Sequence, residues 1–337
     1  MKNKNKFFLY ILFLLIFTFD ASTSNDFELD AKLIEFDNDG KIITATGNVE
    51  IKVQNGIIIK SDKSILNKED SILEAFGNIY LLDKKNKIEI FAENIKYEKK
   101  ENTIIFRGDN ETIFDKKFNL KSRDIIYNKN KNLIYSNRKT SLKDKNNNNL
   151  FFDNFKFNII DKVVDVENLQ LIDVSNNNYK INEAMINLNI GEFIGKNVKI
   201  FFYKDIFDNS ENDPRLFGNS IIHNKNETLV TKGIFTSCKI KDNEKCPPWL
   251  IKADQVKHNK KNKTIEYKNA WLNIYDFPLV YFPFFYHPDP TVKRQSGFLL
   301  PKLSNSSTLG NSIQLPYYRV ISDNKDLTFS PKIFFDD

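Results

Sequence analysis

A chain of 337 residues, 41% apolar and 28% charged, is long enough for two domains, and it can build a core only if its apolar residues are patterned. The net charge of +6 is a small excess spread along the chain, with no Arg/Lys stripe interleaved with aromatics, which argues against a nucleic-acid partner. Thirty Phe and 13 Tyr bias the chain toward β structure and toward membrane interfaces.

Residues 1–24 read as a secretory signal. Lys2, Lys4 and Lys6 form a basic start, Phe7 to Phe19 an apolar run of 13, and Ser22 and Ser24 a workable cleavage site. The run is too short for an ordinary membrane-spanning helix. Export would carry Cys238 and Cys246 into an oxidising compartment.

Residues 25–205 repeat. Ile34, Ile65, Ile95, Ile125, Phe155 and Met185 are spaced 31, 30, 30, 30 and 30 residues apart, each in a frame such as Ala92 to Tyr97 or Ser122 to Tyr127. Three copies carry a Gly-Asn or Gly-Asp step, at Gly47-Asn48, Gly77-Asn78 and Gly108-Asp109, and the frame returns out of phase at Ala253 to His258. Period-2 alternation between short polar turns predicts antiparallel strands, and a fixed period predicts stacked units, none of which buries its own apolar face. Ile34, Phe36, Ile43, Ala45, Val49 and Ile51, with Ile65, Ile95, Ile125 and Phe155 as counterparts, are expected to line one continuous apolar interior. That interior is a plain core if two sheets close on each other, and a groove for acyl chains if they splay. The pattern leaves both open. Unpaired strands at the end of such a stack invite edge-to-edge joining with another protein.

Residues 206–252 break the rhythm and read as an insertion holding both cysteines. Residues 253–296 resume the alternation and end in the proline and aromatic run from Phe277 to Pro290, expected to be a stiff connector because proline lacks the donor a ladder needs. In residues 297–337, the segments Ser296 to Leu303, Ser312 to Ile321 and Leu327 to Phe335 have the length of tilted membrane-crossing strands. Three strands cannot close a barrel, so the expectation is the first part of a longer protein.

Five blocks then carry a resemblance: Pro214 to Ser220, Lys232 to Cys238, Pro247 to Ala253, Pro278 to Phe285, and above all Pro288 to Pro301. They are similar to the LptD (Imp/OstA) family of outer-membrane LPS-assembly proteins, and the repeats resemble that family's OstA-like periplasmic domain. The resemblance implies an all-β chain: a repeat-built OstA-like β-jellyroll in the periplasm followed by the first strands of an outer-membrane β-barrel. It implies lipopolysaccharide as cargo, a plug lipoprotein inside the barrel, and a periplasmic bridge protein at the jellyroll edge. It also implies a lateral gate weakened by Pro301 and Pro316 in the first two barrel strands, against which stands the plainer reading of prolines tolerated near a rim. For Cys238 and Cys246 a local disulfide stays open beside the family's pairing of such cysteines with others farther along. Lys293 and Arg294 suit lipid phosphates or a solvated turn equally. The alternative within the same pathway is a soluble periplasmic lipid-binding bridge, for which residues 297–337 would have no use.

Neither catalysis nor a cofactor finds support. No G-x-S-x-G, H-E-x-x-H or P-loop is present, and a β-solenoid hydrolase would need a carboxylate cluster that the repeats do not align. Two cysteines without a nearby His make half a metal-ligand set. His223, His258 and His287 lie on different segments and read as ordinary surface or packed residues.

Overall fold

The structure, a computed structural model, describes residues 27–53, 56–203, 212–240, 247–289, 292, 294–307 and 310–335. The signal segment lies outside them. All regular elements among the described residues are strands.

Each long strand serves two layers. Ile42–Val53 pairs through Ile42 to Thr46 with Leu33–Asp37, and through Glu50 to Val53 with Phe27–Asp30. Between the two halves the register shifts at Thr46/Val49, where Gly47 (φ 81°) and Asn48 (φ 50°) are both left-handed. A bulge of this kind bends the strand sharply, and Gly and Asn adopt the conformation at least cost. The same corner recurs in Ile72–Asp83 at Gly77 and Asn78. A side-chain ladder ties the corners together along the stack. Asn78 Nδ2 donates to Asp62 (2.7 Å), Asn168 Nδ2 to Asp153 (2.8 Å) and Asn269 Nδ2 to Asp254 (2.9 Å). The product is two layers joined along the corner, like the arms of a V in section.

Rings meet across the V and hold the two layers face to face. Phe27 packs edge-on to Tyr97 (5.7 Å), and Phe114 to Phe157 (4.6 Å). In the first part of the stack the layers touch throughout: Ile51, Ile57, Leu73, Leu81, Ile88 and Ile90 are wholly buried. There the lips are also joined. Tyr127 Oη donates to Asp83 Oδ2 (2.6 Å), Asn86 Nδ2 donates to Tyr127 Oη (3.1 Å), and Lys162 meets Asp115 at 3.5 Å.

Residues 212–240 are no insertion. Arg215–His223 and Glu227–Thr236 are two further strands of the same sheet, joined to Glu192–Phe201 before them and Trp249–Asn259 after. Gly218 and Gly233 stand at the corners of these strands, where an added Cβ would meet Val230 and Val256. Nor is the proline and aromatic run a connector. Phe277–Pro288 pairs along its whole length with Thr264–Ile274. Pro278 lies beside the register shift at Leu272/Asn273, and Pro283 falls at the corner opposite Asn269, so neither missing donor interrupts a regular stretch.

Beyond Arg294 the strand segments form two separate three-stranded sheets. Gly297–Phe298 pairs with Tyr317–Ser322, which pairs with Lys325–Phe329; Lys302–Ser306 pairs with Gly310–Gln314, which pairs with Lys332–Phe334. Three chain passes are thus each broken once. Pro301, Pro316 and Pro331 stand at the three breaks.

Candidate functional site

Most of the expected interior residues do point inward. Ile43, Ala45, Val49, Ile51, Ile95, Ile125 and Phe155 are all buried between the layers. Ile34 and Phe36 pair with Ala45 and Ile43 and share their face, but the stack ends there and leaves them 36% and 66% exposed. Ile65 is a correction. It pairs with Thr44 and Glu74 on the outer face, while its neighbours Ser64 and Leu66 are the buried ones. The strand Ile57–Asn67 turns its corner at Asp62 and Lys63, two successive outward residues, so the buried face passes from Ser61 to Ser64 and every later side chain has the opposite parity. In structural register the inner position of that repeat is Ser64, whose hydroxyl is wholly buried.

The layers part in the second half of the stack, around a cavity of about 530 Å³. Its floor is apolar, with Leu171, Ile200, Leu216, Val230, Phe235 and Val256 among its lining. Its rim is polar, and there the histidines come together. Cross-strand pairing sets Phe193, His223, Thr228, His258, Ile265 and His287 in one row over six strands. The reading of three unrelated histidines is therefore corrected: they close consecutive turns of the repeat at the same height. The ring of His223 stacks on Phe193 at 4.6 Å. Its Nε2 lies 3.2 Å from Lys260 Nζ and its Nδ1 2.9 Å from Thr228 Oγ1. An ammonium only donates, so Nε2 is the bare nitrogen and Nδ1–H donates to Thr228. Burial, with Lys260 and His258 adding to it, brings His223 down to about 4. Lys260 is lowered by burial too, an effect the Asp173 charge offsets only in part. His258 Nε2 sits 2.6 Å from Asp289. His287 donates through Nδ1 to the Pro288 carbonyl (2.7 Å), leaves Nε2 to accept from Tyr267 Oη (3.1 Å), and is itself lowered by burial.

Pro301 and Pro316 do not lie inside strands, as expected, but at the breaks between strand segments. The third break, at Pro331, was missed by the sequence reading, although the -Ser-Pro- step at Ser330 marks it. Leu299 N donates to the Pro316 carbonyl (2.8 Å) and Leu315 N to the Pro331 carbonyl (3.0 Å), so Pro301 and Pro331 flank Leu315 and Pro316 stands in the adjacent row. Arg294 is taken up by protein: Nε by Tyr318 Oη (3.0 Å), Nη1 by the Asp323 carbonyl (2.6 Å), and Nη2 by Asp326. Lys293 and Cys246 lie outside the described residues. Cys238 is a half-buried free thiol, with Sγ 3.6 Å from the Trp249 carbonyl.

Comparison with known proteins bears on both ends of this arrangement. Residues 28–133 match the family described as LptA/(LptD N-terminal domain) LPS transport protein, and residues 265–337 match the family described as LptD protein. The chain belongs to the LptD family. An LPS-assembly protein LptD of Shewanella frigidimarina is 39% identical over 110 residues, which are 33% of this chain and 14% of that protein. One from Pseudomonas aeruginosa is 35% identical over 104 residues, 31% of this chain and 11% of the relative. The match thus spans a small share of these LptD relatives' length. The crystal structure of LptH, the LptA homologous periplasmic component from Pseudomonas aeruginosa, aligns with 30% of this chain and 75% of its own at 15% identity and a TM-score of 0.28.

Proposed function

We propose that this LptD-family chain carries lipopolysaccharide through the V-shaped β-jellyroll of residues 27–288 and delivers it to an outer-membrane barrel begun by the strands from Gly297 onward. The observation that carries this reading is the continuous, mainly apolar interior. It runs from the exposed Ile34 and Phe36 at one end, between packed layers, to the cavity beneath the histidine row at the other. Acyl chains are stabilised there by about 0.8 kcal/mol for each methylene taken out of water, and the lips let sugars and phosphates stay hydrated. Packed layers in the first half mean that the lips must separate as cargo passes. The bonds between Tyr127, Asp83 and Asn86 are then the ones that break and reform.

Among the described residues, Phe27–Asp30 and Leu33–Asp37 pair on one side only, and that edge suits strand addition by a periplasmic bridge protein of the same build. The exposed apolar side chains of the last strands, among them Phe298, Leu303, Ile321 and Phe329, suit lipid. They give the soluble-bridge alternative no use for these segments. A plug lipoprotein and the outer membrane complete the partners this reading requires, with the jellyroll facing the periplasm after export.

Photocrosslinking tests it. A benzoylphenylalanine placed at Ile51 or Val230, both inside, should label lipopolysaccharide in living cells, and one at Met185, on the outer face, should not. Equal labelling from both faces would sink the groove reading.

A further inference from the structure

The cavity rim holds a charge that, among the described residues, is bonded to no carboxylate and is offset by Asp173 only in part. Lys260 Nζ is half-buried beside an apolar floor, where an ammonium is costly unless an anion accompanies it. Its bonds go to neutral acceptors: His223 Nε2 at 3.2 Å and the Asn224 carbonyl at 2.8 Å. Among the described residues, the carboxylates on the same rim are committed elsewhere. Asp173 accepts through Oδ1 from the backbone of Ser175 and Asn177 (both 2.9 Å) and through Oδ2 from the Asn177 side chain and Tyr179 Oη. Asp144 is wrapped in the same way by Asn146 and Asn148. Asp289 is held by His258. The histidine beside Lys260 turns its bare Nε2 to the ammonium and its Nδ1–H to Thr228, so it orients the ammonium without competing for an anion.

We propose that Lys260, steadied by His223 and the Asn224 carbonyl, seats a phosphate group carried by an amphiphile whose acyl chains lie on the floor of the cavity. This subsite rests on the lipid-groove reading and adds to it a position where the head group is recognised by charge. It also gives the head group a fixed height at the end of the stack nearest the membrane strands. Phosphate fits because three terminal oxygens can take the remaining ammonium donor and still face water through the lips.

The test uses the full chain in amphipols, with N-phenyl-1-naphthylamine as an apolar reporter displaced by dodecyl phosphate or by dodecyl maltoside. Wild type should favour dodecyl phosphate. Lys260→Met should weaken dodecyl phosphate by about tenfold and leave dodecyl maltoside within about twofold, as expected for loss of one charge-assisted contact. Lys260→Arg should keep the preference, which separates loss of charge from loss of fold. An unchanged preference in Lys260→Met would overturn the subsite while leaving the groove intact. If inorganic phosphate displaces dodecyl phosphate at equal concentration, the site takes a free anion and the head-group assignment falls. If neither amphiphile displaces the reporter from wild type, the groove reading itself fails.

Discussion

Tyr127 has no exposed surface, and its hydroxyl is the point where the lips of the two layers meet. Burial and the neighbouring Asp83 carboxylate both push the phenol well above the ordinary tyrosine range, so it stays a donor at any physiological pH. Tyr127→Phe keeps the ring and removes that donor, leaving a buried carboxylate with Asn86 alone. The expected cost is about 1–3 kcal/mol, read as a lower urea midpoint, and an unchanged midpoint would mean that water already satisfies Asp83. His223 supplies a different test. The folded protein holds it near 4, and the unfolded chain titrates near 6.5. Between those values the unfolded chain takes up a proton that the folded one refuses, so stability is full above pH 6.5 and declines as the pH falls. By pH 5 the loss should reach ~2 kcal/mol. The groups facing the ring are Lys260, Thr228, Phe193 and Tyr179, with His258 farther off. In His223→Gln the extra loss between pH 7.5 and 5 should vanish; parallel curves for wild type and variant would assign the acid sensitivity to another group.

Elements were legible wherever alternation was clean. The strands from Ile42–Val53 to Ile88–Glu98 follow directly from period-2 patterning and Gly-Asn steps. What alternation cannot convey is which face survives a bulge, and so Ile65 was expected inside while Ser64 is. The second half of the stack was hidden for a related reason. Its corners are made by close approach, and a residue chosen for small size leaves no periodic mark. At Gly195 an added Cβ would stand 2.5 Å from Ile181 Cγ2 and 3.0 Å from the Glu183 carbonyl, with backbone on one side that cannot yield. Gly195→Ala should therefore destabilise the chain by about 1–3 kcal/mol. A thermal melt unaltered by the substitution would show that the corner has slack. The histidine row was illegible for want of register: positions 223, 258 and 287 fall in line only once four intervening connections are counted across the sheet.

At the scale of the whole molecule, the two ends of the chain solve opposite problems. The jellyroll holds its layers together by corner bonds and cross-layer rings, whereas the strands after Gly297 are interrupted at the same height in all three passes. A proline at each break removes a backbone donor, and three in adjacent rows thin the ladder where an intact sheet would be continuous. If cargo leaves sideways into the membrane, that stretch is the place where the first strands part most easily, and Pro331 belongs to it as much as Pro301 and Pro316. Replacing the three prolines with alanine restores up to three donors. Each bond formed is worth ~1 kcal/mol, so openings of the seam should become rarer by about fivefold for each bond. Two readouts keep the physical and functional steps apart. Hydrogen exchange should slow at the amides of Leu299 and Leu315, which flank the breaks, and newly made lipopolysaccharide should reach the cell surface more slowly. Slower exchange with unchanged delivery would show a stiffer sheet that plays no part in release, and the three prolines would then be a feature of the strand ends alone.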